Sequence, residues 1–205
     1  MSAIVFLVRH GLTKSNIDGF YMGWSSEDLN EAGYTQARRL SLRLARLPIA
    51  SIYTSPLRRA YTTAAILNEP HQVELTVMED LTEVHLGDWQ GLHIDEVKQR
   101  WPELWQQSRV DPSEITLPDG ESVREMAQRS IRAFETVVET NPGKQIVMVT
   151  HQYIVRAIVA YTLGVSNSIF RKFDIDNASL SAIQVGNGTF RLIMLNDTSH
   201  LEGLE

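Results

Sequence analysis

Uninterrupted apolar runs recur along the chain and predict buried β-strands. The run from Ala3 to Val8 (AIVFLV) is rich in β-branched residues, which is typical of a central strand covered on both faces. A run at 145–150 (QIVMVT) has the same character. Two further apolar segments flank Gly186-Asn187-Gly188, a sequence that favours a hairpin turn. The predicted strands are 3–8, 50–54, 73–78, 145–150, 180–185 and 190–195.

Between the predicted strands, apolar residues recur every three or four positions, as they do in amphipathic helices. One such stripe extends from Ala37 to Leu47, with arginines between the apolar positions. Ser55-Pro56 predicts a helix start, because a capping hydroxyl precedes a proline in the first helical position. Pro102 is expected to end or disturb the short helix before it. The predicted helices are 30–47, 55–67, 94–101, 121–140 and 152–163.

The alternation of strands and helices predicts an α/β fold. We expect a three-layer α/β/α sandwich with a mostly parallel central sheet and helices on both faces. No internal repeat and no linker rich in glycine, serine or proline divides the chain, so residues 1–205 are expected to form a single domain. In sheets of this kind, ligands bind beyond the carboxyl ends of the strands. Chemistry is therefore expected where the predicted strands end.

Composition and charge narrow the class of protein. The 205 residues are 43% hydrophobic and 21% charged, which suits a well-buried core. The formal net charge is −6 and no run of lysines and arginines is present, so nucleic acid is not an expected partner. The absence of cysteine excludes disulfides, thiolate nucleophiles and zinc–cysteine sites. With no apolar stretch near the roughly 18 residues of a membrane span and no signal-peptide pattern, we expect a cytoplasmic protein without membrane contacts.

Polar and charged residues follow three of the predicted strands. Arg9-His10-Gly11 ends the first strand, Arg59 follows the second, and His151 follows the strand at 145–150. In a parallel sheet these strand ends meet at one edge, so the two histidines and Arg59 can converge there. Two of the turns also open helices, whose N-termini attract anions, and arginine forks suit phosphate. The sequence thus predicts a compact cationic anion-binding site in an acidic protein.

An enzyme that acts on phosphate also needs a nucleophile and a proton donor. His10 is the candidate nucleophile, because neighbouring arginines favour the neutral imidazole, which can attack through a ring nitrogen. Glu83, in LTEVHLGDWQG, is the candidate acid and later base, since partial burial would raise its pKa. Two other kinds of site fit less well. His85, Asp88 and His93 lack metal-ligand spacing, and a Glu83–Asp88 glycosidase pair would leave the arginines without a purpose.

Several ordered motifs resemble those of the histidine phosphatase superfamily, also called the phosphoglycerate mutase-like family. The family pattern R-H-G-x-T-x-x-N is similar to the stretch from Arg9 to Asn16. The pattern S-P-L-x-R-A-x-x-T-A is similar to TSPLRRAYTTA, which selects Arg59 rather than Arg58. The segments LNEAGYTQA, LTEVHLGDWQG, PDGES, VMVTH and Asn177-Ala178-Ser179 resemble further family segments. The resemblance extends from residue 4 to about residue 195.

This resemblance implies a phosphatase that needs neither a metal nor a cofactor and acts on a small phosphorylated metabolite. His10 would form a phosphohistidine, and Glu83 would donate and then accept a proton. Arg9, Arg59 and His151 would bind the phosphoryl group, with Arg156 on the helix behind the second histidine. The other residues expected to contact substrate are Thr13, Asn16, Gly23 and Gln152.

The resemblance leaves the branch of the family and the substrate open. A cofactor-dependent phosphoglycerate mutase is the alternative within the family, and a non-catalytic phosphate-binding module is the alternative outside it. Leu12 stands where the family commonly has Glu or Gln, and Gln152 and Tyr153 stand where it usually has small residues. Substrate preference is therefore not carried over from the family.

Three segments are candidates for recognition. The aromatic loop 20–25 and the segment 101–117, with Trp105 and Arg109, are candidate walls of the substrate site. Exposed β-branched residues expected in 180–195 raise the possibility of a homodimer.

Overall fold

The computed structural model describes residues 2–186 and 188–204, which include a six-stranded β-sheet in the order β3-β2-β4-β1-β5-β6. The strands are β1 (Ala3–Arg9), β2 (Ile49–Thr54), β3 (Glu74–Val77), β4 (Gln145–Thr150), β5 (Leu180–Gly186) and β6 (Thr189–Asp197). Four neighbouring strands, β3, β2, β4 and β1, run parallel, whereas β5 is antiparallel to β1 and β6. The prediction of a mostly parallel sheet is confirmed, and the carboxyl ends of β1, β2 and β4 share one edge.

Helices cover both faces of this sheet. They are α1 (Lys14–Asp18), α2 (Glu31–Leu44), α3 (Arg58–Asn68), α4 (Ile94–Arg100), α5 (Pro102–Val110), α6 (Val123–Thr140) and α7 (Gln152–Leu163). Successive side chains of β1 point to opposite faces. Val5 and Leu7 pack into a core with residues of α6 and α7, whereas Phe6 and Val8 pack into a core with residues of α2 and α3. The predicted three-layer sandwich is confirmed.

Several element boundaries differ from the prediction. The Asn30 side chain caps α2 by accepting the N–H of Gly33 at 2.7 Å, but α2 ends at Leu44 instead of residue 47. The predicted cap of α3 at Ser55 is wrong, because the hydroxyl of Ser55 accepts the N–H of Leu57 in a turn that precedes the helix. The short helix α1 was not predicted. The short helix before Pro102 ends at Arg100, as expected, but Pro102 also begins α5, a helix that was not predicted, since proline suits a first helical position.

The two C-terminal strands form the predicted hairpin, in which Gly186 of β5 pairs with Thr189 of β6. Asn187, on which the turn prediction partly depended, lies outside the described residues. Within the described part of the chain, no helix is both long and apolar enough to cross a lipid bilayer.

Candidate active site

A cavity of about 270 Å³ lies where the segments that follow β1, β2 and β4 meet. Its lining includes seven of the nine predicted site residues, namely Arg9, His10, Asn16, Gly23, Arg59, Glu83 and Gln152. The other two, Thr13 and His151, are fully buried and do not line it. The structure therefore gathers most of the predicted residues around one small space.

The His10 imidazole is oriented by its own loop. Its Nδ1 lies 2.8 Å from the carbonyl oxygen of Gly11, so Nδ1 carries the hydrogen and the lone pair is on Nε2. Arg59 Nε donates to that Nε2 at 3.2 Å. Burial, reinforced by the positive charges of Arg59 and Arg9, holds the pKa of His10 well below its ordinary value. The imidazole is therefore neutral, with the lone pair of Nε2 directed towards a cation in the cavity wall.

Arg59 ties the aromatic loop to this centre. Its Nη1 donates to the carbonyl of Ser25 at 2.9 Å and its Nη2 donates to the carbonyl of Gly23 at 2.7 Å. Arg9, at the end of β1, is held by a 2.7 Å bond from Nη1 to the carbonyl of Ile175. Burial lowers the pKa of each arginine to about 10, so both remain cationic at neutral pH. Together they give the cavity a fixed positive wall.

The Glu83 carboxyl group lies on the same cavity. One oxygen accepts the N–H of Val84 at 3.0 Å, and the other faces the N–H of Tyr153 at 3.5 Å. Burial raises the pKa of Glu83 above its ordinary value, although these N–H groups and the charges of Arg59 and Arg9 act in the opposite direction. A carboxyl group that keeps its proton to higher pH than usual is suited to general acid catalysis.

His151 stands edge-on to His10, with 5.2 Å between the ring centroids. Its Nε2 lies 2.8 Å from the hydroxyl of Ser55, and its Nδ1 is buried without a partner among the described residues. Sequence reasoning missed this role for Ser55. The contact between Ser55 and His151 follows from the strand register. Thr54 on β2 pairs with Val149 on β4, which places Ser55 beside the end of the neighbouring strand.

Thr13 and Asn16 form the capping box that starts α1. The hydroxyl of Thr13 accepts the N–H of Asn16, and Asn16 Oδ1 accepts the N–H of Thr13. Asn177 Nδ2 donates to Asn16 Oδ1 at 3.0 Å and to the carbonyl of His10 at 3.2 Å. Thr13 therefore occupies the place of a positioning residue, whereas Asn16 reaches the cavity. The motif search singled out the segment of Asn177 but gave the residue no role.

Comparison with known proteins identifies the class to which this arrangement belongs. A family model described as "Histidine phosphatase superfamily (branch 1)" matches residues 5–198. The chain belongs to the histidine phosphatase superfamily.

One curated relative and two solved structures match this chain over nearly their whole length. Phosphoserine phosphatase 1 of Hydrogenobacter thermophilus is 33% identical over 197 residues, which cover 96% of this chain and 93% of that protein. The structure of Bacillus stearothermophilus YhfR matches with a TM-score of 0.94 and 31% identity, covering 98% of this chain and 100% of that one. A mycobacterial glucosyl-3-phosphoglycerate phosphatase matches with a TM-score of 0.88 and 28% identity, covering 96% and 99%. The protein is a phosphatase of the histidine phosphatase type, as its motifs predicted.

The cavity walls come in part from the two segments in which this histidine phosphatase was expected to recognise substrate, 20–25 and 101–117. Residues 20–23 of the aromatic loop line the cavity, but Trp24 does not, because its indole N–H donates to the carbonyl of Glu83 at 2.6 Å. In the segment 101–117, Arg109 lines the cavity and Trp105 packs against the core instead.

The two departures from the family pattern after His151 also line the cavity. Gln152 Nε2 donates to the carbonyl of Ile175 at 3.3 Å, and the phenol of Tyr153 accepts a bond from Arg171 at 2.8 Å. Both side chains thus narrow and shape the substrate space. As for metals, no group of three or more His, Cys, Asp or Glu side chains in the described ranges could hold an ion.

Gly11 and Gly33 allow two backbones to touch beside His10. A Cβ on Gly33 would lie 2.0 Å from the carbonyl oxygen of Leu12, and one on Gly11 would lie 2.6 Å from the carbonyl oxygen of Gly33. Gly11 is not among the residues with positive φ. Gly11 is therefore required for close packing against α2 and not for a left-handed backbone conformation.

Replacing Gly33 by alanine is expected to lower the free energy of unfolding by about 1–3 kcal/mol, because the added methyl group must displace the loop that follows His10. The kcat for p-nitrophenyl phosphate should fall as well, since that loop orients the imidazole. Chemical denaturation and steady-state kinetics measure the two effects. Arg38→Ala, at an exposed position of the same helix, is the control. An unchanged unfolding midpoint for Gly33→Ala would show that the backbone contact is not needed.

The shifted pKa values predict an unusual dependence of kcat on pH. The pKa of His10 is lowered, so its neutral form should persist well below about pH 6.5, the ordinary midpoint of histidine. The pKa of Glu83 is raised, so the protonated acid is lost only at a pH above the ordinary range of carboxyl groups. We expect kcat for an alkyl phosphate to stay high as the pH falls through 6.5, and to decline as it rises past the pKa of Glu83. Rates between about pH 4.5 and 8 test this, and an acid limb centred near 6.5 would contradict it.

Proposed function

We propose that this histidine phosphatase hydrolyses phosphomonoesters of small metabolites in two steps through a phosphohistidine at His10. The observation that carries the proposal is the orientation of His10. Its Nδ1 bonds the carbonyl of Gly11, which leaves the Nε2 lone pair facing Arg59 within a cationic cavity. The raised pKa of Glu83 on the same cavity supports the role of proton donor.

In the first step, Nε2 of His10 forms a bond to phosphorus as the bond between phosphorus and the ester oxygen breaks. The electron pair of the broken bond stays on the leaving oxygen, which takes the proton of Glu83. Arg9 and Arg59 stabilise the negative charge on the transferred phosphoryl oxygens. The products of this step are the free alcohol, a phosphohistidine and an ionised Glu83.

In the second step, water attacks phosphorus as the bond to Nε2 breaks, and Glu83 accepts the proton of the water. Inorganic phosphate leaves, and His10 returns to its neutral form. The hydroxyl of Ser55 accepts the N–H of Leu57, so its own hydrogen is available to Nε2 of His151. His151 would then carry its hydrogen on Nδ1 and could donate it to a phosphoryl oxygen.

The substrate class follows from cavity size and from the relatives. A cavity of about 270 Å³ suits a phosphoryl group attached to a small alcohol. The named relatives act on phosphoserine and on glucosyl-3-phosphoglycerate, which are small phosphorylated metabolites. We propose a substrate of that size, with Asn16, Gly23 and the N–H of Gln152 as contacts.

Rapid acid or alkaline quenching tests the mechanism. Wild-type protein mixed with a ³²P-labelled phosphomonoester should acquire an acid-labile, alkali-stable label, and peptide mapping should place that label on His10. Inorganic phosphate should accumulate without added bisphosphoglycerate, which distinguishes hydrolysis from a mutase reaction. A label on another residue, or none during turnover, would contradict the covalent mechanism.

Two further predictions concern the setting of the enzyme. We propose that it acts in the cytoplasm and forms a homodimer. The exposed side chains of Ile193 and Leu195 on the edge strand β6 are the surface that a second copy would cover. Sedimentation velocity tests this, and a monomer at micromolar concentration would contradict it.

A further inference from the structure

The cavity carries more positive charge than a single phosphoryl group requires. Four arginines line it, whereas Glu83 is the one carboxylate in the lining that the structure describes. Arg9 and Arg59 lie around His10. Arg109 comes from the last turn of α5, and Arg171 ends the 3₁₀ turn Asn167–Arg171. The phosphoryl group accounts for the first pair of arginines but not for the second.

Arg171 is held in place with one edge of its guanidinium still available. Its Nη2 donates to the phenol of Tyr153 at 2.8 Å, and its Nε donates to the carbonyl of Ser108 at 3.1 Å. The guanidinium also lies over the ring of Tyr153, 5.7 Å from the centroid. Within residues 2–186 and 188–204, neither Arg171 nor Arg109 forms an ion pair with a carboxylate. A preorganised arginine without a counter-charge in a cavity is a binding group for an anion.

Tyr153 sets the distance between this arginine and the reacting centre. Its backbone N–H faces the carboxyl of Glu83, while its phenol oxygen bonds to Arg171. One tyrosine residue therefore spans the gap between the proton donor and the second cation. Apolar side chains, among them Leu86, Trp89 and Leu117, line the cavity around it. A ligand that reached both ends would have a phosphate ester at one end, a short carbon chain and an anion at the other.

We propose that Arg171, assisted by Arg109, binds a carboxylate on the alcohol portion of the substrate. The preferred substrates are then phosphate esters of small hydroxy acids. Arginine can bind either a carboxylate or a second phosphate. In a cavity of about 270 Å³ that already holds the phosphoryl group, the smaller, planar carboxylate is favoured over a second phosphate. This inference rests on the proposed phosphatase function and adds the chemistry of the leaving group to it.

A pair of nearly isosteric substrates tests the inference. In 3-phosphoglycerate a carboxylate replaces a hydroxymethyl group of glycerol 3-phosphate, and the two compounds otherwise have the same atoms around the ester. Wild-type enzyme should favour 3-phosphoglycerate by at least about tenfold in kcat/KM, as expected for a charge-assisted hydrogen bond. Arg171→Gln should reduce this preference to within about threefold of unity, mainly through 3-phosphoglycerate. Arg124→Gln, at an exposed arginine paired with Glu114 outside the cavity, should keep it.

The outcomes separate this inference from the function on which it rests. A wild-type ratio near one, or an Arg171→Gln ratio equal to that of wild type, would overturn the carboxylate site. Equal losses on both substrates would also overturn it, because they would show general attraction of phosphate esters. If Arg171→Gln does not fold, Arg109→Gln, at an exposed position, should reduce the same ratio, and an unchanged ratio counts against the proposal. Failure of wild-type enzyme to hydrolyse either substrate or p-nitrophenyl phosphate would instead refute the phosphatase function.

Discussion

Replacing His10 by alanine is expected to reduce kcat for p-nitrophenyl phosphate by on the order of 10⁴-fold or more, because the nucleophile that splits the reaction into two steps is lost. The neighbouring imidazole cannot take over. The Nε2 atom of His151 lies 2.8 Å from the hydroxyl of Ser55 and accepts its hydrogen, so Nδ1 carries the ring hydrogen and neither nitrogen has a free lone pair for attack on phosphorus. Steady-state kinetics on purified enzyme measure the loss, and the ³²P label should disappear with it.

The control for this variant is binding. Backbone carbonyls hold both Arg9 and Arg59, and only Arg59 also bonds to His10, so His10→Ala should still bind inorganic phosphate. Saturating phosphate should raise the unfolding temperature of the variant, as it does for any ligand that binds only the folded state. His71→Ala removes a half-buried imidazole that does not line the cavity and should keep wild-type kcat. If His10→Ala retained more than a hundredth of wild-type kcat while folded, the nucleophile would have to be another group.

The convergence of the histidines could be predicted because it depends on a local pattern and one general rule. Apolar β-branched runs identify central strands, and polar residues mark where those strands end. Parallel pairing then places the ends together, and the register of the structure pairs Arg9 with Thr150, so that His10 and His151 follow as neighbours. The positions of the two histidines could be predicted without knowing the paths of the loops. The sheet edge was therefore predictable from residues that are adjacent in sequence.

The supporting residues could not be predicted in this way, because their contacts join distant segments through loops of irregular path. Ser55 before proline has the local signature of a helix cap, yet its hydroxyl meets a histidine 96 residues later. Asn177 reaches the backbone of His10 from a segment 167 residues away. Arg171 carries no pattern that distinguishes it from a surface arginine. Such contacts depend on side-chain directions that only the folded chain determines.

Replacing Glu83 by glutamine is expected to slow hydrolysis of an alkyl phosphate by about 10²–10⁴-fold, since an amide neither donates nor accepts the proton that the mechanism moves. An aryl ester should respond differently. The p-nitrophenolate ion leaves without protonation, so the first step should survive in the variant. The second step still needs a base to activate water, and it should become limiting.

Glu83→Gln mixed with p-nitrophenyl phosphate should therefore release a rapid burst of about one equivalent of p-nitrophenolate, followed by slow turnover, while the phosphohistidine accumulates. Stopped-flow absorbance measures the burst. Glu79→Gln, at an exposed carboxylate four residues away, is the matched control and should show wild-type kinetics. The carboxyl group of Glu83 also accepts the backbone N–H of Val84 and faces that of Tyr153. A slower Glu83→Gln variant could therefore reflect the loss of a structural role instead of a lost proton donor. Equal slowing of the alkyl and aryl substrates without a burst would favour that role, because disordered geometry does not distinguish leaving groups whereas a missing proton does.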